Sequence, residues 1–140
     1  MPINAVGSSM SITDQVSILA VEDNPDTQTL LRYLLRPMYR LELVRRVDEA
    51  VRAARKDEYQ LFVLDINLGE QHTGIDLLHQ LRSIPGCDET PALALTAYAM
   101  PGDRDRFLRE GFDAYVSKPF TRHELLEAIE VVLQARPPAD

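Results

Sequence analysis

Five short runs rich in apolar residues recur along the chain, at 17–21, 41–44, 61–65, 92–96 and 114–117. Between them, apolar residues return every three to four positions, so strand-like and helix-like segments alternate. Asn24-Pro25 opens the first helix, with the asparagine placed to cap and the proline at the first helical position. Leu30, Leu31, Leu34 and Leu35 form its predicted apolar face, and Pro37 ends it. After the second strand, a helix from about Asp48 is expected to bury Val47, Val51 and Ala54. Gly74 opens the third helix with Leu77, Leu78 and Leu81 inward, and Pro85-Gly86 terminates it. The fourth, over about 102–110, is mostly charged and offers only Phe107 and Leu108 to a core. Thr121-Arg122-His123-Glu124 is a capping box for the last helix, which should bury Leu125, Ile129, Val132 and Leu133.

Five strands alternating with five helices predict an α/β fold whose parallel sheet is covered on both faces. With right-handed crossovers and a switch point between strands one and three, it is a flavodoxin-like (βα)5 three-layer sandwich of strand order 2-1-3-4-5. Residues 1–16 mix Gly, Ser, Asn and Thr without periodicity and read as a flexible arm or an expression remnant. Residues 17–136 form the single expected domain, and 137–140 a tail.

Polar residues stand where four of the strands run out. Glu22-Asp23 follows the first, Asp65 closes the third, Thr96 closes the fourth and Lys118 follows the fifth. In a parallel sheet these groups meet at one edge, where open α/β folds bind ligands. Three carboxylates, a hydroxyl and a lysine sharing a pocket suit a divalent cation and a phosphoryl group, with Asp65 as nucleophile. A carboxylate is already ionised at neutral pH, so Asp65 is expected to need no general base. Glu22 and Asp23 would repel it unless a cation lies between them.

Composition narrows the choice of ligand. A net charge of −7 argues against direct nucleic-acid binding, which needs clustered Lys and Arg. No run approaches the ~20 apolar residues of a membrane span, so no membrane insertion is expected. The first 17 residues lack the basic start and apolar block of a secretory signal. Cys87 is the single cysteine, which excludes an internal disulfide and fits a reducing cytoplasm. His72, His79 and His123 have no metal-ligand spacing and read as surface residues.

Val-Glu-Asp-Asn-Pro (21–25), Leu-Asp-Ile-Asn-Leu (64–68), Leu-Thr-Ala (95–97) and Lys-Pro-Phe (118–120) together resemble the receiver domain of bacterial two-component response regulators. The resemblance covers about 17–135. It implies that Asp65 is the phosphoryl acceptor and that Glu22 and Asp23 are the acid pair holding Mg2+, with Mn2+ able to substitute. It also implies that the Asn67 carbonyl ligates the metal, that Thr96 is the switch hydroxyl and Tyr115 the switch aromatic, and that Lys118 precedes a cis proline. The implied donor is a sensor histidine kinase or a histidine phosphotransfer protein, and the output goes to a downstream protein through a changed surface. A stand-alone module, catalysing only its own phosphorylation and dephosphorylation, is the favoured form. A receiver fragment of a hybrid kinase or larger regulator is the near alternative. A haloacid-dehalogenase-like phosphatase is the alternative of another class, because Asp65-Ile66-Asn67 faintly resembles its Asp-x-Asp. Asn67 and Tyr98, two residues beyond Asp65 and Thr96, are expected to flank the path of attacking water and give slow self-dephosphorylation.

Overall fold

A computed structural model describes residues 16–68, 73–97 and 101–135. The strands are β1 (Ser17–Val21), β2 (Arg40–Val44), β3 (Leu61–Asp65), β4 (Ala92–Thr96) and β5 (Ala114–Ser117). They alternate with α1 (Pro25–Leu35), α2 (Val47–Lys56), α3 (Gly74–Arg82), α4 (Asp103–Arg109) and α5 (Arg122–Ala135). All four strand pairings are parallel, and the order across the sheet is β2-β1-β3-β4-β5. This is the predicted 2-1-3-4-5 arrangement.

The central strands β3 and β4 are buried throughout, as expected for a sheet covered on both sides. Alternation along the strands sends residues to two separate cores. Ile18, Ala20, Leu61, Val63, Leu93 and Leu95 face α1 and α5, meeting Leu31, Leu35, Leu125 and Ile129. Leu19, Val21, Phe62, Leu64, Ala92 and Ala94 face the other layer, with Ala50, Leu77, Leu78, Leu81 and Phe107.

Local signals explain the helix starts. The Asn24 side chain accepts hydrogen bonds from the Asp26 and Thr27 N–H groups. Thr121 and Glu124 close their capping box, with N–H to side chain distances of 2.8 and 3.1 Å. Thr73 and Asp76 do the same before α3. At the turn after α3, Gly86 takes a φ of +91°, a left-handed conformation that glycine enters without steric penalty.

Several predicted core positions shift. Leu30 is 38% exposed, and Gln28 takes its place on the buried stripe beside Leu31, Leu34 and Leu35. The stripe is thus rotated so that positions 28, 31 and 35 align, which carries Leu30 to the rim. In α2 the buried residues are Ala50 and Ala54, and Val47 and Val51 are only half-buried. The small alanines line the contact with the sheet, and the valines cover its margin. Leu108 is 42% exposed, leaving Phe107 as the buried residue of α4. Leu133 is half-buried behind Ile129 and Val132. Cys87 is buried and free. His79 and His123 are exposed, each beside a glutamate, at 3.0 Å from Glu110 and 3.6 Å from Glu127. His72 lies outside the described residues. Among the described residues, no helix is long and apolar enough to cross a membrane.

Candidate functional site

Strand register brings the polar strand ends together. Val21 pairs with Val44 on one side and Leu64 on the other, so Glu22 and Asp23 emerge beside Asp65. Asp65 pairs with Leu95, which sets Thr96 one residue further along the neighbouring strand. Thr96 in turn pairs with Ser117, and the Lys118 N–H donates to the Thr96 carbonyl at 2.7 Å. The Lys118–Pro119 peptide is cis, as the resemblance implied.

The side chains converge on a small volume. Oxygens of Glu22, Asp23 and Asp65 lie within 4.8 Å of one another. Glu22 is fully buried and Asp65 is 2% exposed. Lys118 Nζ stands 2.7 Å from Glu22 Oε1 and 3.3 Å from Asp65 Oδ1. The Asn67 N–H donates to Asp65 Oδ1 at 3.0 Å, and Asn67 forms an isolated antiparallel bridge with Thr73. Glu22 is held at three further atoms. Its N–H donates to the Val44 carbonyl, its Oε2 accepts from the Asn24 N–H, and its carbonyl accepts from Gln28 Nε2.

Charge is unbalanced here, with three carboxylates facing one ammonium. Burial, followed by the hydrogen bond and charge of Glu22, pushes Asp65 up to about 7 against the opposing pull of the Asn67 N–H and Lys118. Without a metal, the pocket thus disfavours the ionised form of Asp65. The cause is desolvation beside a second carboxylate, which disfavours the charged form. Burial alone would lower the Lys118 pKa, but its hydrogen bond to Glu22 and the charges of Asp65 and Glu22 outweigh that and raise it. Glu22 Oε1 is buried, and its partner is the Lys118 ammonium at 2.7 Å. Hard oxygen donors within reach of one another and surplus negative charge together fit a hard divalent cation.

The other predicted residues occupy different positions. Thr96 is buried at the same sheet edge, 2% exposed. Tyr115 is half-buried, with its ring centroid 5.8 Å from that of Phe107 in α4. Tyr98 lies outside the described residues. Two residues bear on the site in ways not read from the sequence. Gln28 carried no signal, because a glutamine on a helix reads as solvated. Gly74 carried a weak one, being a glycine just inside a helix. A β-carbon there would collide with the Asp65 carbonyl oxygen and lie 3.0 Å from Ile66 Cα.

The response regulator receiver domain model matches residues 18–130. An uncharacterized 14.6 kDa protein of Leptolyngbya boryana, from the sodA1 3′ region, is 35% identical over 130 residues, covering 92% of this chain and 98% of that one. The polar-differentiation response regulator DivK of Brucella anthropi is 33% identical over 118 residues, covering 84% and 95%. Among solved structures, the receiver domain of the sensor histidine kinase PA1611 of Pseudomonas aeruginosa is 35% identical with a TM-score of 0.76, covering 85% and 98%. That structure has a magnesium ion coordinated in its active-site cleft. These matches do not favour the phosphatase alternative. The chain belongs to the response regulator receiver family and is a phosphoryl-accepting module of two-component signalling.

Proposed function

We propose that Asp65 is the phosphoryl acceptor, and that Glu22, Asp23, Asp65 and the Asn67 carbonyl hold magnesium beside it, with manganese able to replace it. The observation that carries this reading is the convergence of three carboxylates and Lys118 around a buried Asp65. The magnesium in the similar Pseudomonas receiver supports the choice of ion. Bound there, such a cation would offset the repulsion among the carboxylates and neutralise charge on the phosphoryl oxygens.

Asp65 Oδ1 is occupied by the Asn67 N–H and Lys118, so Oδ2 is the attacking oxygen. As the new O–P bond forms, the P–N bond to the donor's imidazole breaks. The imidazole nitrogen keeps the electron pair and takes a proton from water. Lys118 then has a phosphoryl oxygen within its reach and stabilises the transferring group as a point charge. Thr96, one residue beyond the partner of Asp65, donates its hydroxyl to the product. Tyr115 moves in response and alters the face made by α4, β5 and α5.

The donor in this reading is a sensor histidine kinase or a histidine phosphotransfer protein, and a downstream protein reads the altered face. The only reactions catalysed are the chain's own phosphorylation and dephosphorylation, in the cytoplasm, by a receiver unit spanning 17–136. Borohydride reduction of the phosphorylated chain tests the assignment. It should convert Asp65 to homoserine in the peptide mass spectrum, and homoserine at a different aspartate would reject it.

A further inference from the structure

Gln28 is a polar side chain on the otherwise apolar buried stripe of α1, beside Leu31, Leu34 and Leu35. Its Nε2 donates to the Glu22 carbonyl at 2.6 Å. That carbonyl belongs to the peptide joining Glu22 to Asp23. The N–H of Glu22 is already fixed by Val44, at 3.0 Å. Oε2 of Glu22 is fixed by Asn24 at 3.1 Å, and Oε1 faces Lys118. The backbone leaves the sheet at this point, and among the described residues the amide of Gln28 supplies the donor to the Glu22 carbonyl. A rotation of this peptide would swing Asp23, the least buried acid of the cluster, away from Glu22 and Asp65.

We infer that Gln28 is a positioning residue for the acid pair: by holding the Glu22 carbonyl it sets the peptide plane that aims Asp23 at the metal. This rests on the metal reading proposed above. Outer groups that orient metal ligands matter to affinity although they never touch the ion. The Gln28 bond is of this kind, and it ties the acid pair to the first helix rather than to the sheet. A thioether at the same position would fill the same space and donate nothing.

The test compares magnesium affinity of the parent, Gln28→Met and Leu31→Ala by titration of amide chemical shifts, well below each melting temperature. Leu31→Ala, on the same helix stripe, lowers the melting temperature and leaves the magnesium Kd unchanged. Gln28→Met should raise Kd about tenfold, the low end for outer partners of metal ligands, and displace the Asp23 amide resonance. A rise below about twofold, less than one hydrogen bond typically contributes, would overturn the inference even if Gln28→Met melts earlier. A second measurement needs no substitution: the parent should show a through-hydrogen-bond coupling between Gln28 Nε2 and the Glu22 carbonyl carbon. Its absence would also overturn the inference. If the parent binds no magnesium, the metal reading itself fails; if parent and Gln28→Met bind equally, only the role of Gln28 does.

Discussion

Gly74 and Asp65 touch through their backbones. The first residue of α3 packs on the peptide that ends β3, and its N–H donates to the Ile66 carbonyl at 2.8 Å. A β-carbon at 74 would collide with the Asp65 carbonyl oxygen and lie 3.0 Å from the carbonyl carbon. Alanine usually gains up to ~1 kcal/mol over glycine inside a helix, and less at its first residue. Overpacking costs about 1–3 kcal/mol, and here the obstacle is backbone, which yields poorly. Gly74→Ala should therefore destabilise the chain and slow phosphorylation by displacing Asp65. Denaturant unfolding and labelling rates check it; parent-like values in both would show that α3 shifts freely.

Lys118 is the only cation at the carboxylates among the described residues, and its side chain is 19% exposed. Replacing it with methionine leaves Glu22 and Asp65 buried without their counter-charge. Breaking a buried pair costs about 3–5 kcal/mol, and partial exposure places this one near the lower end. Since Lys118 pulls the Asp65 pKa down, Lys118→Met should raise that pKa further. Carbon-13 titration of the Asp65 carboxyl in metal-free protein reads it, and an unchanged or lowered midpoint would contradict the assignment.

The raised Asp65 pKa has a signed consequence for stability. Its folded value of about 7 lies above the ordinary 3.8, so the folded chain holds this proton more tightly than the unfolded chain. The resulting stabilisation is fully present below about pH 4 and is lost as pH rises toward 7. Metal-free parent should thus lose stability between pH 4 and 7 relative to Asp65→Asn. Magnesium competes with the proton, so its affinity should climb over the same range. Parallel stability curves for the two chains would remove the effect.

Arg82 anchors the opposite end of the sheet. Its guanidinium donates to the carbonyls of Cys87, Thr90 and Gly111, joining the α3–β4 and α4–β5 connections. Hydrogen bonds from a charged donor contribute about 1.5–3 kcal/mol. Arg82→Met removes three of them and should lower stability by at least the contribution of one, while leaving the labelling rate of the folded chain unchanged. A slowed rate with intact stability would reverse this division of roles.

The Tyr115–Phe107 ring contact places the predicted switch aromatic directly on α4. Phosphorylation should alter amide shifts across 102–116, and Thr96→Ala should accept the phosphoryl group while losing that response. An equal response in both chains would exclude coupling through the hydroxyl.

The sheet and most of the acid site were legible in the sequence because each strand ends where an apolar run meets a polar residue. Period-two and period-3.6 patterns then fix which strands are buried. What stayed hidden depends on three-dimensional proximity. Gln28 reads as a solvated position until the Glu22 carbonyl is seen facing it. Leu30 and Leu108 read as core because composition cannot resolve the rotation of a helix about its axis. The upward push on the Asp65 pKa stayed hidden because it depends on burial beside Glu22, a residue 43 positions away in the chain.

The central claim is that one carboxylate, Asp65, receives the phosphoryl group. Intact mass measurement after incubation with phosphoramidate and magnesium tests it most directly. The parent should gain a single phosphoryl group that is lost in base, Asp65→Asn should gain none, and chelation of magnesium should suppress the parent's reaction. A base-labile phosphoryl group on Asp65→Asn at the parent's rate would contradict the assignment.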